Sequence, residues 1–270
     1  MNDKSREDKN HEFKNVKYLL TSTMRTLLLV ILYDEDKTLN EMRNELKKPS
    51  ATILHGLKEL QANNLIKKEK KIYSLTSNGY LLAANIIKLI NNWYAINKNK
   101  VFWNDHDLSG IPENFLNKLY LLRNAELISS TTSDLSNAFN TYIKMLEKSK
   151  RLTIILPIYS ENHFRHMIKL IKNDEVEEIK LLISEEILKS MQKSRYIKKS
   201  LIESKKITII KTEQKPKIFL TYSNDFMSLT LFFKDGHYDD SQIIIDESES
   251  AIKWADDLFK EYTIRNGGIE

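Results

Sequence analysis

The chain has 270 residues, 41% of them hydrophobic and 29% charged, which is enough for two globular domains with buried cores. It contains no Cys, which excludes disulfides, thiol catalysis and thiolate metal sites, and only six Gly, which argues against glycine-rich phosphate loops. Residues 1–100 hold 18 Lys and Arg against 11 Asp and Glu, so they carry a charge of +7 and the remainder carries −2. This basic excess predicts a polyanionic partner.

No export or membrane signal is predicted. Residues 1–14 mix basic and acidic side chains without an apolar core, which indicates a flexible tail. The longest apolar run, Leu27–Leu32, is much shorter than the ~20 residues of a membrane span. We therefore expect a cytoplasmic protein that binds no membrane, and we predict no cofactor.

Residues 15–97 are predicted to form a first domain that opens with helices. Apolar residues at helical spacing predict a helix over about Val16–Leu32. Thr38 and Glu41 have the spacing of a capping box, which would begin a short helix over Leu39–Leu46.

A second short helix follows closely. Lys47-Lys48-Pro49 predicts a turn, and Ser50 is a suitable N-cap for a helix over Ala51–Asn63. Asn64 can take the left-handed conformation that ends such a helix. Two short helices joined by a tight turn predict a helix-turn-helix, with a buried stripe formed by Ile53, Leu57 and Leu60.

A basic hairpin is predicted next, from strands at Leu65–Lys68 and Ile72–Leu75 joined by a Glu69-Lys70-Lys71 tip. A long helix would then run from Thr76-Ser77-Asn78-Gly79 to about Ile96. Residues 16–95 resemble the winged helix-turn-helix domains of prokaryotic transcription factors. The resemblance is carried by the buried stripe, the hairpin and the Tyr73–Gly79 segment.

This resemblance implies double-stranded DNA as a partner. The second helix would enter the major groove, while basic side chains of the turn and hairpin would contact phosphates. That helix has no Arg, so phosphate contact and DNA shape would carry much of the recognition. A plain surface position for His55 and a merely solvated hairpin remain open alternatives. The candidate DNA-binding residues are Arg43, Lys47, Lys48, Ser50, Thr52, His55, Lys58, Lys67, Lys68, Lys70 and Lys71.

Residues 98–125 are predicted to be a junction. The segment 101–112 breaks the helical pattern and contains Gly110, and a linker helix would begin at Pro112 and continue through Leu122.

Residues 126–270 alternate strands with helices, which predicts an α/β effector or dimerisation domain with a mixed sheet. The whole chain would thus be a winged helix-turn-helix, itself α+β, followed by an α/β domain. The predicted strands are Glu126–Ser130, Leu152–Leu156, Ile179–Ile183, Ile207–Ile210, a hairpin of Ile218–Tyr222 with Met227–Phe233, and Ile243–Ile245. The predicted helices are Asp134–Lys148, Glu161–Ile171, Glu185–Met191, Tyr196–Glu203 and Ser248–Thr263.

Several motifs of the second part resemble one archaeal family, the methanogenesis-regulator family of winged helix-turn-helix transcriptional regulators. The resemblance implies an effector-like domain behind the winged helix, and the layout is similar to that of sugar-responsive archaeal regulators with a phospholipase-D-like effector domain. The motifs are Phe102-Trp103, His106-Asp107-Leu108, Ile111-Pro112, Phe115-Leu116, Leu156-Pro157-Ile158, Leu229-x-Leu231, Asp235-Gly236-x-Tyr238-Asp239, and the segment from Ala251 to Tyr262.

No catalytic residue and no metal site are predicted. Phospholipase D chemistry needs His-x-Lys, and no His is followed by Lys two places on. Gly-x-Ser-x-Gly and the Walker pattern are absent as well. His163 and His166 are spaced to share a metal but are better interpreted as surface histidines, and Asp235–Asp240 as a solvated turn.

A small-molecule effector of unknown identity is predicted at the carboxyl ends of the strands, where open α/β sheets bind ligands. The two tyrosines among the candidates could stack on a ligand or simply pack. The candidate ligand-binding residues are Tyr159, Ser160, Ser184, Thr221 and Tyr222, with Pro157 and Ser223 beside them.

The sequence therefore predicts a homodimeric DNA-binding transcriptional regulator, in which Trp93 and Tyr94 of the long helix are candidate dimer contacts. One alternative is a ligand-sensing or protein-interaction module that does not bind DNA. A phosphodiesterase-like enzyme is the third.

Overall fold

The computed structural model describes residues 17–18, 21–202 and 204–265. Contacts divide the chain into two compact units between Ile90 and Asn91. The predicted tail at 1–14 lies outside the described residues, as do Val16 and Leu19 of the first predicted helix and Glu203 of a later one.

The first unit is built from helices and a small sheet. Its elements are α1 (Thr23–Asp34), β1 (Lys37–Thr38), α2 (Leu39–Leu46), α3 (Ser50–Ala62), β2 (Ile66–Glu69), β3 (Ile72–Leu75) and α4 (Ser77–Lys98), the last of which continues past the division.

Local sequence explains where these helices begin and end. The predicted capping box is present, because Oγ1 of Thr38 accepts a hydrogen bond from the Glu41 amide at 3.4 Å while Oε2 of Glu41 accepts from the Thr38 amide at 2.6 Å. Helix α2 ends at Leu46, and its C-cap Lys47 has a left-handed φ of 51°. Asn64 is also left-handed, as expected, with a φ of 55°.

Two helix starts differ from the sequence prediction. The first predicted helix is interrupted: Lys17 and Tyr18 are helical but Thr21 and Ser22 are not, and α1 begins at Thr23, where the Ser22 side chain caps it by accepting from the Arg25 amide. Ser50 is not an N-cap: Pro49 has the extended backbone of that position, and α3 already begins at Ser50.

The small sheet has the order β1-β3-β2, with both pairs antiparallel. Strand β1, which pairs Lys37 with Tyr73, is only two residues long and leaves no alternating pattern in the sequence. The hairpin turn is Lys70-Lys71 alone, because Glu69 pairs with Ile72. Three helices, this sheet and α4 form the predicted winged helix around one core.

The second unit has a larger set of elements. They are α5 (Lys100–Asp105), α6 (Glu113–Leu116), a 3₁₀ turn (Leu119–Leu122), β4 (Glu126–Ser129), α7 (Asn137–Glu147), β5 (Arg151–Leu156), α8 (Glu161–Lys172), β6 (Glu178–Ser184), α9 (Glu185–Lys193), α10 (Arg195–Ile197), a π-turn (Lys198–Ile202), β7 (Ile207–Thr212), β8 (Ile218–Tyr222), β9 (Met227–Leu231), β10 (Gln242–Asp246) and α11 (Glu249–Arg265).

Residues 98–125 belong to the core of this unit. Helix α5 occupies part of the segment where the sequence indicated a break, and it buries Phe102 and Trp103. The predicted linker helix is instead two short pieces, α6 and the 3₁₀ turn, which bury Phe115 and Leu119. Because these apolar side chains are buried in a core of the second unit, residues 98–125 are part of that unit rather than a linker.

The sheet of the second unit is mixed, as predicted, with the order β4-β10-β9-β8-β5-β6-β7. Strands β5, β6 and β7 are parallel, and the remaining pairs are antiparallel. Alternate strand residues enter two separate cores: Ile154 packs with α7, α8 and α9, whereas Ile155 packs with α5, α6 and α11. The unit is therefore a three-layer α/β/α sandwich.

Strand β9 and the helix predicted over 196–203 also differ from the sequence prediction. Strand β9 ends at Leu231 rather than Phe233, because Phe232 and Phe233 form isolated bridges to Tyr238 and His106. The single helix predicted over 196–203 is replaced by α10 and the π-turn within the described residues.

Candidate functional site

Helix α3 presents a polar face away from the core of the first unit. Its predicted stripe is buried, while Thr52, His55 and Lys58 are exposed and Ser50 is half-buried. The helix lies close to α1 at Gly56, where a Cβ atom would come within 2.9 Å of Cδ1 of Leu28. The fold thus leaves the predicted base-reading residues free on one surface.

A half-buried arginine of α1, Arg25, ties that helix to α3. The Arg25 side chain is 11% exposed, lies over the Tyr18 ring, and donates from Nη1 to Oε2 of Glu59 at 2.8 Å. Oε1 of Glu59 lies 3.7 Å from Nε2 of His55. These contacts place His55 on the exposed side of α3 beside a carboxylate.

The turn and the wing supply the positive charge. Arg43, Lys47 and Lys48 are exposed around the helix-turn-helix, and the four lysines of the hairpin are exposed as well. Lys67 pairs with Glu69 at 2.7 Å, and this hydrogen bond raises the pKa of Lys67 and lowers that of Glu69.

The wing lysines differ in their partners. Lys68 lies 5.0 Å from the centroid of the Tyr73 ring. Lys70 occupies the left-handed turn position with a φ of 57°. Neither Lys70 nor Lys71 has a carboxylate partner in the described part of the chain, so both charges are available to an anion.

The Thr-x-x-Gly segment anchors the wing to the helix-turn-helix. Oγ1 of Thr76 donates to the Asn64 carbonyl at 2.7 Å and accepts from the Gly79 amide at 3.1 Å. A Cβ atom at Gly79 would lie 1.8 Å from the Leu65 carbonyl oxygen, so only Gly allows this close approach. The motif that carried the resemblance is therefore a packing requirement.

In the second unit, the structure does not gather the predicted ligand-binding residues at one place. Ser160 and Ser184 are the N-caps of α8 and α9. Thr221 is fully buried beside the Tyr142 hydroxyl, and the Tyr222 hydroxyl donates to Oδ1 of Asp256 at 2.9 Å.

Tyr159 is 40% exposed and lies against Phe164. Of the five predicted ligand-binding residues, only Ser160 lines the cavity of the second unit described next.

A cavity of about 300 Å³ lies between α7, the start of α8 and the antiparallel strands β8, β9 and β10. Sequence reasoning missed most of its lining. The family motifs include Ile158, Tyr238 and Asp239, but they do not indicate that these three residues line one cavity. The lining includes Phe139, Tyr142, His163, Phe219, Tyr238 and Asp240.

His163 is not the surface histidine that the sequence indicated. It is 9% exposed, and burial lowers its pKa to about 4, with His166 adding a smaller repulsion. Burial also raises the pKa of the Tyr142 and Tyr238 hydroxyls. Within the described residues, no group of three His, Asp or Glu side chains is placed to hold a metal ion.

The Asp235–Asp240 segment is not simply a solvated turn. Asp239 is 1% exposed, and its Oδ2 lies 3.0 Å from Nε2 of His106. Burial opposes the charge of Asp239, but hydrogen bonds from His106 and Ser241 outweigh it and lower the pKa of the carboxyl. For His106, burial is likewise outweighed by bonds to Asp239 and the Phe102 carbonyl, so its pKa is raised.

The described residues contain no helix of the length and apolar character that crossing a membrane requires.

The fold defines the class: a winged-helix protein with a separate α/β unit. A family model described as the N-terminal domain of methanogenesis regulatory protein FilR1 matches residues 13–93, and one for the middle domain of the same protein matches residues 135–265. The chain belongs to this family of methanogenesis regulatory proteins.

A curated relative and two solved structures are also similar. Methanogenesis regulatory protein FilR1 of Methanothrix harundinacea is 27% identical over 97% of this chain, and the chain spans 60% of the length of that relative. TrmBL2, described as an archaeal chromatin protein, is 14% identical with a TM-score of 0.40, covering 87% of this chain and 88% of its own. Quinone-bound YodB from B. subtilis is 24% identical with a TM-score of 0.29, and the match covers 30% of this chain and 93% of YodB.

Proposed function

We propose that this chain is a DNA-binding transcriptional regulator rather than an enzyme, acting in the cytoplasm. The observation that carries the proposal is the exposed surface of the winged helix, where the polar face of α3 and unpaired lysines of the wing occur together. Membership in a family of regulatory proteins supports it.

In this proposal, α3 enters the major groove. Thr52, His55 and Lys58 project from it toward base edges or phosphates. The side chains of Arg43, Lys47 and Lys48 and of the wing neutralise phosphates beside the groove. The absence of Arg from α3 makes backbone contact and DNA shape the larger contributions.

A homodimer is part of the proposal, because one winged helix reads only a short half-site. Helix α4 supports it with large apolar side chains that are exposed: Leu89 by 56%, Trp93 by 66% and Tyr94 by 52%. Leu89, Trp93 and Ile96 follow i, i+4, i+7 spacing and so form one stripe, which a second copy of the helix would cover.

An effector is the last part of the proposal. The cavity of the second unit has a volume at the lower end of the range of ligand pockets, about 300–1,000 Å³. Its aromatic lining supports a small organic ligand, whose binding would change the affinity for DNA.

A salt-dependent shift assay with the full chain tests the DNA-binding function. Duplex DNA from the region upstream of its own coding sequence should bind at 50 mM salt, and the logarithm of the binding constant should fall linearly with the logarithm of the salt concentration. Absence of binding to this DNA at low salt would contradict the proposal.

A further inference from the structure

The cavity beside α7 and α8 is an aromatic enclosure. The ring centroid of His163 lies 4.9 Å from Phe139, 5.4 Å from Tyr142 and 5.2 Å from Phe219. Phe219 in turn lies 6.3 Å from Tyr238. Rings at these distances and angles form walls against which another flat ring packs well.

His163 is the polar group that this enclosure leaves without a partner. The side chain lines the cavity and is more than nine-tenths buried. Neither ring nitrogen has a hydrogen-bond partner among the described residues; Nδ1 is enclosed by protein, so Nε2 is the nitrogen that a ligand can reach. A buried polar side chain without a partner is destabilising, so a hydrogen bond from a ligand to Nε2 would offset part of a penalty that the fold tolerates.

The charged side chains that line the cavity, Asp239 and Asp240, are acidic. None of the described residues that line it is Lys or Arg. Asp239 is compensated by His106 and Ser241, whereas Asp240 is exposed at the cavity and has no cationic partner in the described residues. The other titratable side chains that line it are Tyr142, Tyr238 and His163, and burial favours the uncharged form of each. The carboxylate of Asp240 would repel an anion, and the amino-terminal turns of α7 and α8, which also line the cavity, would offset part of that repulsion.

We propose that this cavity binds a planar aromatic molecule that carries no negative charge, with the ring held between the aromatic walls and a polar substituent hydrogen-bonded to His163. The proposal rests on the proposed function only in naming this ligand the effector. A neutral imidazole has one donor and one acceptor, so an amide, a hydroxyl or a ring nitrogen would each satisfy it. Carboxylates and phosphates are the classes that it disfavours.

Three probes of one shape test the charge preference: 2-naphthamidine, 2-naphthamide and 2-naphthoate, which are cationic, uncharged and anionic. They are titrated without DNA into the full chain labelled with ¹⁵N-histidine. The His163 signal is assigned as the one that is absent from the spectrum of the H163F variant. We expect the amidine and the amide to shift this signal, and the naphthoate to bind at least about tenfold more weakly. Equal affinity for the three probes, or no shift with any of them, would overturn the inference.

Two matched variants separate binding from folding. H163F removes the hydrogen-bonding group but keeps a flat ring, and it should weaken naphthamide binding about tenfold without lowering the unfolding temperature, because an unpaired polar group has been replaced by an apolar one. H166F, three residues along the same helix, should bind like wild type. If H163F lowers the unfolding temperature and leaves probe affinity unchanged, His163 is structural and the proposal is wrong.

The proposed function is tested separately. If the protein shifts DNA but binds none of the probes, only the inference about the cavity is wrong. If it binds the amide and the amidine but does not shift DNA, the cavity assignment stands and the proposed function is wrong.

Discussion

Nε2 of His106 and Oδ2 of Asp239 lie 3.0 Å apart with both side chains at most 1% exposed. Nδ1 of His106 lies 2.6 Å from the Phe102 carbonyl oxygen, which can only accept a hydrogen bond. An ionised Asp239 also only accepts, so both ring nitrogens donate and His106 is the imidazolium. A buried ion pair thus joins the end of α5 to the loop before β10.

Replacing Asp239 by Asn should destabilise the second unit. The change removes the negative charge beside His106 and leaves one acceptor oxygen where the carboxylate has two, so His106 and Ser241 can no longer each have their own. We expect a loss of about 1–3 kcal/mol in the free energy of unfolding, below the about 3–5 kcal/mol of a broken pair of fixed charges, because the imidazole can release its proton. Urea unfolding followed by tryptophan fluorescence measures it, since Trp93, Trp103 and Trp254 all lie in this unit. A loss below about 0.5 kcal/mol would mean that the pair adds no stability.

The same pair predicts a pH dependence. Because its pKa is raised in the folded protein, His106 contributes fully to the free energy of unfolding below its ordinary pKa of about 6.5, and this contribution is lost as the pH rises through the pKa of the folded state. Because its pKa is lowered, Asp239 contributes fully above its ordinary pKa of about 3.9, and this contribution is lost as the pH falls through the pKa of the folded state. The pair therefore contributes most between about pH 4 and pH 6.5.

The pH test compares variants, because His163 acts in the opposite direction: its lowered pKa makes stability fall as the pH drops below about 6.5. The difference in unfolding free energy between wild type and D239N cancels this effect. It should be larger at pH 5.5 than at pH 9. D235N removes an exposed pair with His237 in the same loop and is the control, for which no such change is expected.

Local patterns predicted local structure well in this chain. The capping box of Thr38 and Glu41, the left-handed Asn64 and the strand–helix alternation all depend on neighbours a few residues apart. The His106–Asp239 pair joins residues 133 positions apart, and β4 pairs with β10 across more than a hundred, so no local spacing indicates either. For the same reason the sequence suggested ligand residues at strand ends, whereas the cavity is lined by the buried face of α7 and by His163.

Replacing Gly79 should strongly destabilise the winged helix. In G79A, the new methyl group would overlap the Leu65 carbonyl oxygen, and backbone cannot move aside cheaply. We expect a loss of at least about 3 kcal/mol, at the upper end of overpacking costs, seen as a lower urea midpoint in far-UV circular dichroism. G236N is the control: its φ of 89° is strained for Asn, but its Cβ meets nothing within 4 Å, so about 1 kcal/mol is expected. Equal losses would show that the close approach at Gly79 is unimportant.

The wing predicts a change in the salt dependence of DNA binding. Replacing both Lys70 and Lys71 by Ala should reduce the slope of log binding constant against log salt by about 1.8, since each phosphate contact contributes about 0.9. The double variant K198A/K199A removes another exposed adjacent pair of lysines, in the second unit, and should leave the slope unchanged. An unaltered slope in K70A/K71A would remove the wing from the interface while leaving α3 in place.

The exposed stripe of α4 predicts the oligomeric state. Placing Lys at both Leu89 and Trp93 puts two like charges where a second copy would bury apolar surface, and this should convert a dimer to a monomer in sedimentation equilibrium. I264K alters a side chain that is 77% exposed near the end of α11 and should leave the dimer intact. The monomeric variant should bind a single half-site with nearly unchanged affinity and lose the added affinity for two half-sites one turn apart, because only the link between the two winged helices has been removed. If wild type is already a monomer, or if the L89K/W93K variant remains a dimer, the contact through α4 is wrong.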